Sequence, residues 1–292
     1  MDDNDQSAPR PLFTFGPGMR AMLLLALYFS CTGIFLLFSS SDKLGWLMAG
    51  PGSDYGVGYA WLSNSIFSIF IFGVPALVYA NIFPLERFGF FRIQERVSPL
   101  LLIFGALAMI VLVPGIDQVA TWISQAFTNP EWKTLQDNIQ KQNQWLLQMP
   151  TFGDLLLCLL ANALVPAVCE EVFFRAGIQQ ILLENSRNIH IPIVSTAMIF
   201  AFVHGDPSGM PLIFLAGLML GYAFYWTGSL RINMLMHFLF NGVSITEQYI
   251  AQRNASFAQW QPGIFVVIIS FVLSAGFFYL VWRRSRKAVV NL

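Results

Sequence analysis

The sequence predicts an all-α membrane protein with about eight transmembrane helices in one bundle. Three observations predict it. Hydrophobic residues make up 56% of the 292 and charged residues only 11%, against roughly 25% charged in an average soluble domain. Apolar runs recur eight times, at about 20–39, 60–82, 98–126, 152–183, 190–204, 210–227, 231–250 and 262–282, and a helical span needs about 20 such residues. The stretches between the runs are too short to fold as soluble domains, and isolated strands in lipid would leave their backbone groups unpaired. This composition rules out a soluble enzyme, and its apolar content rules out a disordered chain. Sixteen basic and sixteen acidic residues cancel, so no net field points to nucleic acid as a partner. Membrane lipids are the expected surroundings.

Taken in order, residues 1–18 are polar, acidic and rich in Pro and Gly, and read as a disordered cytoplasmic tail. The run after Arg20 lacks both a basic leader and an A-x-A site, so it reads as a retained first span rather than a signal peptide. Three spans and an external segment then fill residues 19–150. Within those spans the only acid is Asp117, beside Pro114 and Gly115. Residues 128–150 place Trp132, Leu135, Ile139, Trp145 and Leu146 as an amphipathic helix on the membrane surface would. The later runs follow at short intervals, and 284–292 is a basic cytoplasmic tail. With an even number of spans both termini share a side. Putting that side in the cytoplasm gives it eleven of the sixteen Lys and Arg, leaves four outside and keeps Arg175 within a span. Cys31, Cys158 and Cys169 lie in apolar runs without paired spacing, and read as small hydrophobes.

An ionisable group inside a span is costly and marks function by default. The fourth run carries Glu170, Glu171 and Arg175, His204 ends the fifth, and His237 and Asn241 sit in the seventh. Glu171 and Arg175 are four apart and share a helix face in the favourable order. Glu170 is one residue further round, about 100° away, with no partner on its own helix. His237 and Asn241 also share a face. Pro166, four residues before Glu170, should kink the fourth span beside the acid. A carboxylate in an apolar pocket suits a general base, a neutral His can help polarise a water, and a second His with an Asn can donate to an oxyanion. That set hydrolyses an acyl bond without a covalent intermediate. No H-E-x-x-H is present, and a zinc ion would have only Glu170, His204 and His237 as ligands, with water as the fourth. Asp117, Asp154, Asp206 and Glu247 lie near span ends and read as solvated, while Gly217 and Gly221 form a G-x-x-x-G suited to close helix packing.

The order E-E-x-x-x-R at Glu170, Glu171 and Arg175, F-x-x-x-H at Phe200 and His204, and H-x-x-x-N at His237 and Asn241 resembles the CPBP family. That family joins the CAAX prenyl endoproteases to the bacteriocin-processing and self-immunity membrane proteins. The W-T-G-S-L stretch from Trp226 to Leu230 is also similar to it. The resemblance implies an eight-span bundle, a catalytic core over residues 151–283, and an intramembrane endopeptidase acting on a membrane-associated protein or peptide. It implies Glu170 as the water-activating base with His204 beside it, His237 and Asn241 as oxyanion donors, and Glu171 with Arg175 as the supporting pair. One divalent metal such as zinc, on Glu170, His204 and His237, stays open beside a metal-independent glutamate mechanism. The expected location is a bacterial plasma (inner) membrane. Two other classes remain: an idle immunity or scaffold protein of the same fold, and a proton-coupled transporter. The transporter is disfavoured because its usual internal repeats are missing here.

Overall fold

The computed structural model describes residues 15–41, 43–83, 97–126, 129–184, 186–207 and 209–289, with no side-chain description for 286–289. The predicted disordered tail lies almost wholly outside the described residues. Among the described residues nine helices carry the fold: α1 (Pro17–Ser39), α2 (Val57–Ile82), α3 (Pro99–Ala126), α4 (Pro130–Leu146), α5 (Phe152–Leu183), α6 (His190–Val203), α7 (Met210–Thr227), α8 (Leu230–Ala251) and α9 (Ile264–Val289). Short helical turns also occur at Gly45–Met48 and Ala255–Ala258, and no strand occurs among the described residues.

Each of the eight apolar runs is a helix. Six of these helices (α1, α2, α3, α5, α7 and α9) are long and apolar enough to cross a membrane. Helix α6 has 14 residues, and α8 is interrupted by Asn233, His237, Asn241 and Glu247. Large apolar side chains such as Leu37, Phe202 and Phe265 face outward, as a lipid-facing bundle requires. The all-α membrane class is therefore correct. Helix α9 runs on through Arg283 and Arg284 to Val289, into the basic segment at 284–292.

Helices α2 and α5 are not regular. Each contains a π-helical turn, at Ile69–Gly73 and Leu160–Leu164, and each turn ends two residues before a proline, Pro75 or Pro166. Proline lacks an N–H and clashes with the carbonyl one turn back, so a wider turn relieves the ladder there. The expected disturbance at Pro166 thus takes the form of a π-turn. Polar side chains line the gap. Ser65 Oγ donates to the Ala161 carbonyl at 3.4 Å, and Asn64 Nδ2 donates to Asn162 Oδ1 at 2.8 Å. A second π-helical stretch, Val172–Gln179, follows Glu171 directly. Such turns cluster at functional positions.

Helix α4 is capped by Asn129, whose side chain accepts from the Glu131 and Trp132 amides. None of its side chains is buried, yet its C-terminal end is tied down. Trp61 Nε1 donates to the Leu146 carbonyl at 2.7 Å, and Gln252 Nε2 to that of Leu147 at 2.5 Å. Arg253 Nη2 donates to the carbonyls of Met149 and Pro150, both at 2.7 Å. The amphipathic segment is therefore fastened to the end of α8.

Candidate active site

The fourth run's polar side chains emerge where α5 widens into its second π-stretch. Glu171 and Arg175 are completely buried, and Arg175 Nη1 lies 3.1 Å from Glu171 Oε1. A buried ion pair is costly unless further hydrogen bonds meet its polar atoms, and here most are met, although Arg175 Nε has no partner among the described residues. Glu171 Oε1 additionally accepts from His237 Nδ1 at 2.9 Å, and Oε2 accepts from Asn233 Nδ2 at 3.2 Å. Arg175 Nη2 donates to the Gly217 carbonyl at 3.2 Å, and one turn later Gln179 Nε2 donates to that of Gly221 at 2.8 Å. Those carbonyls are reachable because α7 comes close at its two glycines. A Cβ on Gly217 would sit 3.3 Å from Ala197 Cβ, and one on Gly221 would sit 2.9 Å from Ile193 Cγ2. The G-x-x-x-G thus packs α6 against α7 and bares backbone to Arg175 and Gln179.

Phe200 joins the pieces. The Arg175 guanidinium lies over its ring at 4.7 Å. The rings of His204 and His237 pack on it with centroids 4.5 and 5.7 Å away. Its carbonyl also meets His204 Nδ1 at 2.6 Å. Gly205, at φ 65°, turns the chain out of α6 immediately after His204, a conformation that glycine adopts without the Cβ penalty. His204 therefore sits at the helix end with its side chain 30% exposed, whereas that of His237 is 4% exposed.

Glu170 faces these two imidazoles. Its Oε2 lies 3.7 Å from His204 Nε2 and 3.9 Å from His237 Nε2, and this buried oxygen has no hydrogen-bond partner among the described residues. The Nδ1 bonds decide what faces it. A carbonyl and an ion-paired carboxylate only accept, so both Nδ1 atoms carry the proton. In neutral rings, both Nε2 atoms then turn a lone pair towards Glu170. Three acceptors meet across gaps too long for direct hydrogen bonds. A donor of two hydrogen bonds, such as water, matches that arrangement.

Five of the residues singled out in the sequence thus meet: Glu170, Glu171, Arg175, His204 and His237. Asn241 lies one turn beyond His237 on α8, half-buried, and makes no hydrogen bond among the described residues. No group of three or more His, Cys, Asp or Glu that could hold a metal ion is found among the described residues. Cys169 points away from the site, towards Gly73. Asn233 was missed in the sequence. It precedes His237 by four, so N-x-x-x-H-x-x-x-N was the available signal, a polar stripe along an apolar helix.

Residues 152–243 match the Rce1-like family, described as type II CAAX prenyl endopeptidase Rce1-like. The match agrees with the CPBP/CAAX-protease resemblance read from the motifs. It begins at the first residue of α5 and ends just past Asn241, so every candidate site residue lies within it. The Rce1-like region supports a CAAX-type intramembrane protease, a hydrolase carried on a multi-pass membrane protein. No curated protein and no solved structure matches the chain.

Proposed function

We propose that the protein is an intramembrane endopeptidase in which Glu170 is the general base. The observation that carries this reading is the buried, unpartnered Glu170 oxygen facing two imidazole nitrogens at 3.7 and 3.9 Å. A water that donates to Glu170 and to His204 Nε2 turns its own lone pair towards an incoming peptide carbonyl. Glu170 takes the proton as the water oxygen bonds to the carbonyl carbon. The tetrahedral oxyanion is met by the Asn241 amide. His237 can also donate from Nε2, but only as an imidazolium, because its Nδ1–H is committed to Glu171. The Glu171 carboxylate supports that charge in the way a carboxylate supports a catalytic imidazole. Glu170 then passes its proton to the leaving nitrogen, the C–N bond breaks, and an amine and a carboxylic acid depart, the acid giving up its remaining proton to solvent. No step runs through a metal.

The test is cleavage of a peptide library by the purified protein in detergent or liposomes. Glu170→Gln keeps size and polarity and removes the base, so cleavage should fall by about 10⁴-fold, the upper range for acid–base catalysis. Wild-type rates in Glu170→Gln would place the base elsewhere. Excess chelator asks the separate question about metal. Activity that is lost and then restored by zinc would replace the bare-glutamate scheme, and unaffected activity would sustain it.

A further inference from the structure

Beside the site lies a cavity of about 910 Å³, walled by α3, α4, α8 and the turn after His204. Its size is that of the larger ligand clefts, but most of the residues on its wall are of polar type, Gln above all. Glu170, His204, His237 and Asn241 are not on its wall, but two features place it next to them along the chain. Asp206, on its wall, is two residues after His204. Ser244, Ile245 and Gln248, also on its wall, lie three, four and seven residues after Asn241. At those spacings they share one helix face with Asn241 and His237. The stripe that starts on Glu171 at His237 therefore runs through Asn241 into the cavity, about 10 Å further on at Gln248.

The wall carries a sign. Asp117 on α3, Asp137 on α4 and Asp206 contribute three carboxylates, and Lys133 contributes one ammonium. Asp117 also meets the Glu247 carboxyl of α8. The wall is built rather than loose, because the end of α4 is held by Trp61, Gln252 and Arg253.

We propose that this cavity admits the substrate's polypeptide to Glu170, and that its carboxylates select a hydrophilic segment bearing Lys or Arg. The inference rests on the endopeptidase reading, and it names the substrate class for the same site. The amides suit the donors and acceptors of an extended backbone, and the acidic wall suits a cationic side chain more than an anionic one.

Binding and cleavage separate the two claims. The probes are two fluorescent peptides, one of alternating Lys and Gln and one of alternating Glu and Gln. They are titrated onto full-length Glu170→Gln protein, which holds peptide without turning it over. The Lys peptide should bind tighter than the Glu peptide, and the margin should shrink with added salt. Asp137→Lys should weaken the Lys peptide by about threefold or more, and Lys133→Gln should tighten it, as exposed charge pairs allow. Both substitutions lie on an exposed face of α4 and leave its tethers intact. Equal binding of the two peptides, or a Lys-peptide affinity that Asp137→Lys leaves unchanged, overturns the proposal. Wild-type cleavage by Glu170→Gln sinks the mechanism and leaves this binding result to stand or fall alone.

Discussion

Two parts of the bundle are held together by different means. Helices α3 and α9 lie against each other through small and apolar side chains. Gly115 is so close to α9 that a Cβ there would sit 2.9 Å from Ser270 Cβ, and Phe104 stacks on Phe277. The contact between α5, α6, α7 and α8 instead passes through Glu171, Arg175, Asn233, His237 and bared carbonyls. The first pairing fixes two spans with no ion pair between them among the described residues, although Arg284 of α9 lies over the Phe104 ring at 5.6 Å. Ionic groups in the second are therefore not needed merely to join helices, and their cost in an apolar setting points to chemistry. If so, substitutions in the second region should separate stability from rate, while those in the first should move stability alone.

The largest stability effect should come from Arg175→Ala. It leaves Glu171 completely buried, with its counter-charge gone, at a cost of about 3–5 kcal/mol. Glu171→Ala should match it, and it also releases His237 and Asn233. Unfolding in detergent followed by denaturant would measure both, beside Glu170→Gln as a variant that disrupts no described hydrogen bond. Equal stability in all three would mean that the pair is not a structural hub, and the division of labour between adjacent glutamates would fail.

Much of this site was legible because lipid-soluble chains have so few reasons to carry charge. Glu170, Glu171, Arg175, His204 and His237 stood out from their apolar runs, and spacing alone put Glu171 with Arg175 on one face. The same spacing implied that Glu170 would look elsewhere, and its oxygen faces two other helices. What spacing did not reveal was joined across long stretches of chain. Asn233 reaches Glu171 from 62 residues away, and Arg175 reaches the Gly217 carbonyl across 42. The glycine pair announced close packing, but not that its carbonyls would be hydrogen-bond acceptors for another helix. A π-turn in place of a simple kink was also hidden, because proline excludes the regular ladder without choosing its replacement. The count of spans was legible only in part, since α8 trades apolar residues for the polar stripe that the site uses.

Asn241→Ala should come next in size, and should act on rate. A single oxyanion donor is worth about 10²–10³ in kcat. Asn241 has no hydrogen bond within the described residues to lose, so unfolding should be almost unchanged, and KM should hold because the contact forms with the oxyanion. Steady-state kinetics on any substrate from the library would read the split. A rise in KM at constant kcat would make Asn241 a peptide-binding group, part of the cavity wall that continues from it along α8.

The smallest effect belongs to the pairing of α3 with α9 and sets the scale for the others. Ser274 Oγ, 2% exposed on α9, donates to the Ala108 carbonyl of α3 at 2.8 Å. Ser274→Ala removes that donor but strands nothing, because Ala108 lies inside a regular helix whose own ladder uses the same carbonyl. The expected loss is about 1 kcal/mol or less, the usual net worth of one hydrogen bond, with kcat and KM unchanged. Thermal unfolding beside the Arg175→Ala protein gives the comparison directly. A loss as large as that of Arg175→Ala would show that hydrogen bonding, rather than close packing, holds α3 to α9. The contrast between the two regions would then be one of degree, and buried polarity alone would no longer separate chemistry from architecture in this bundle.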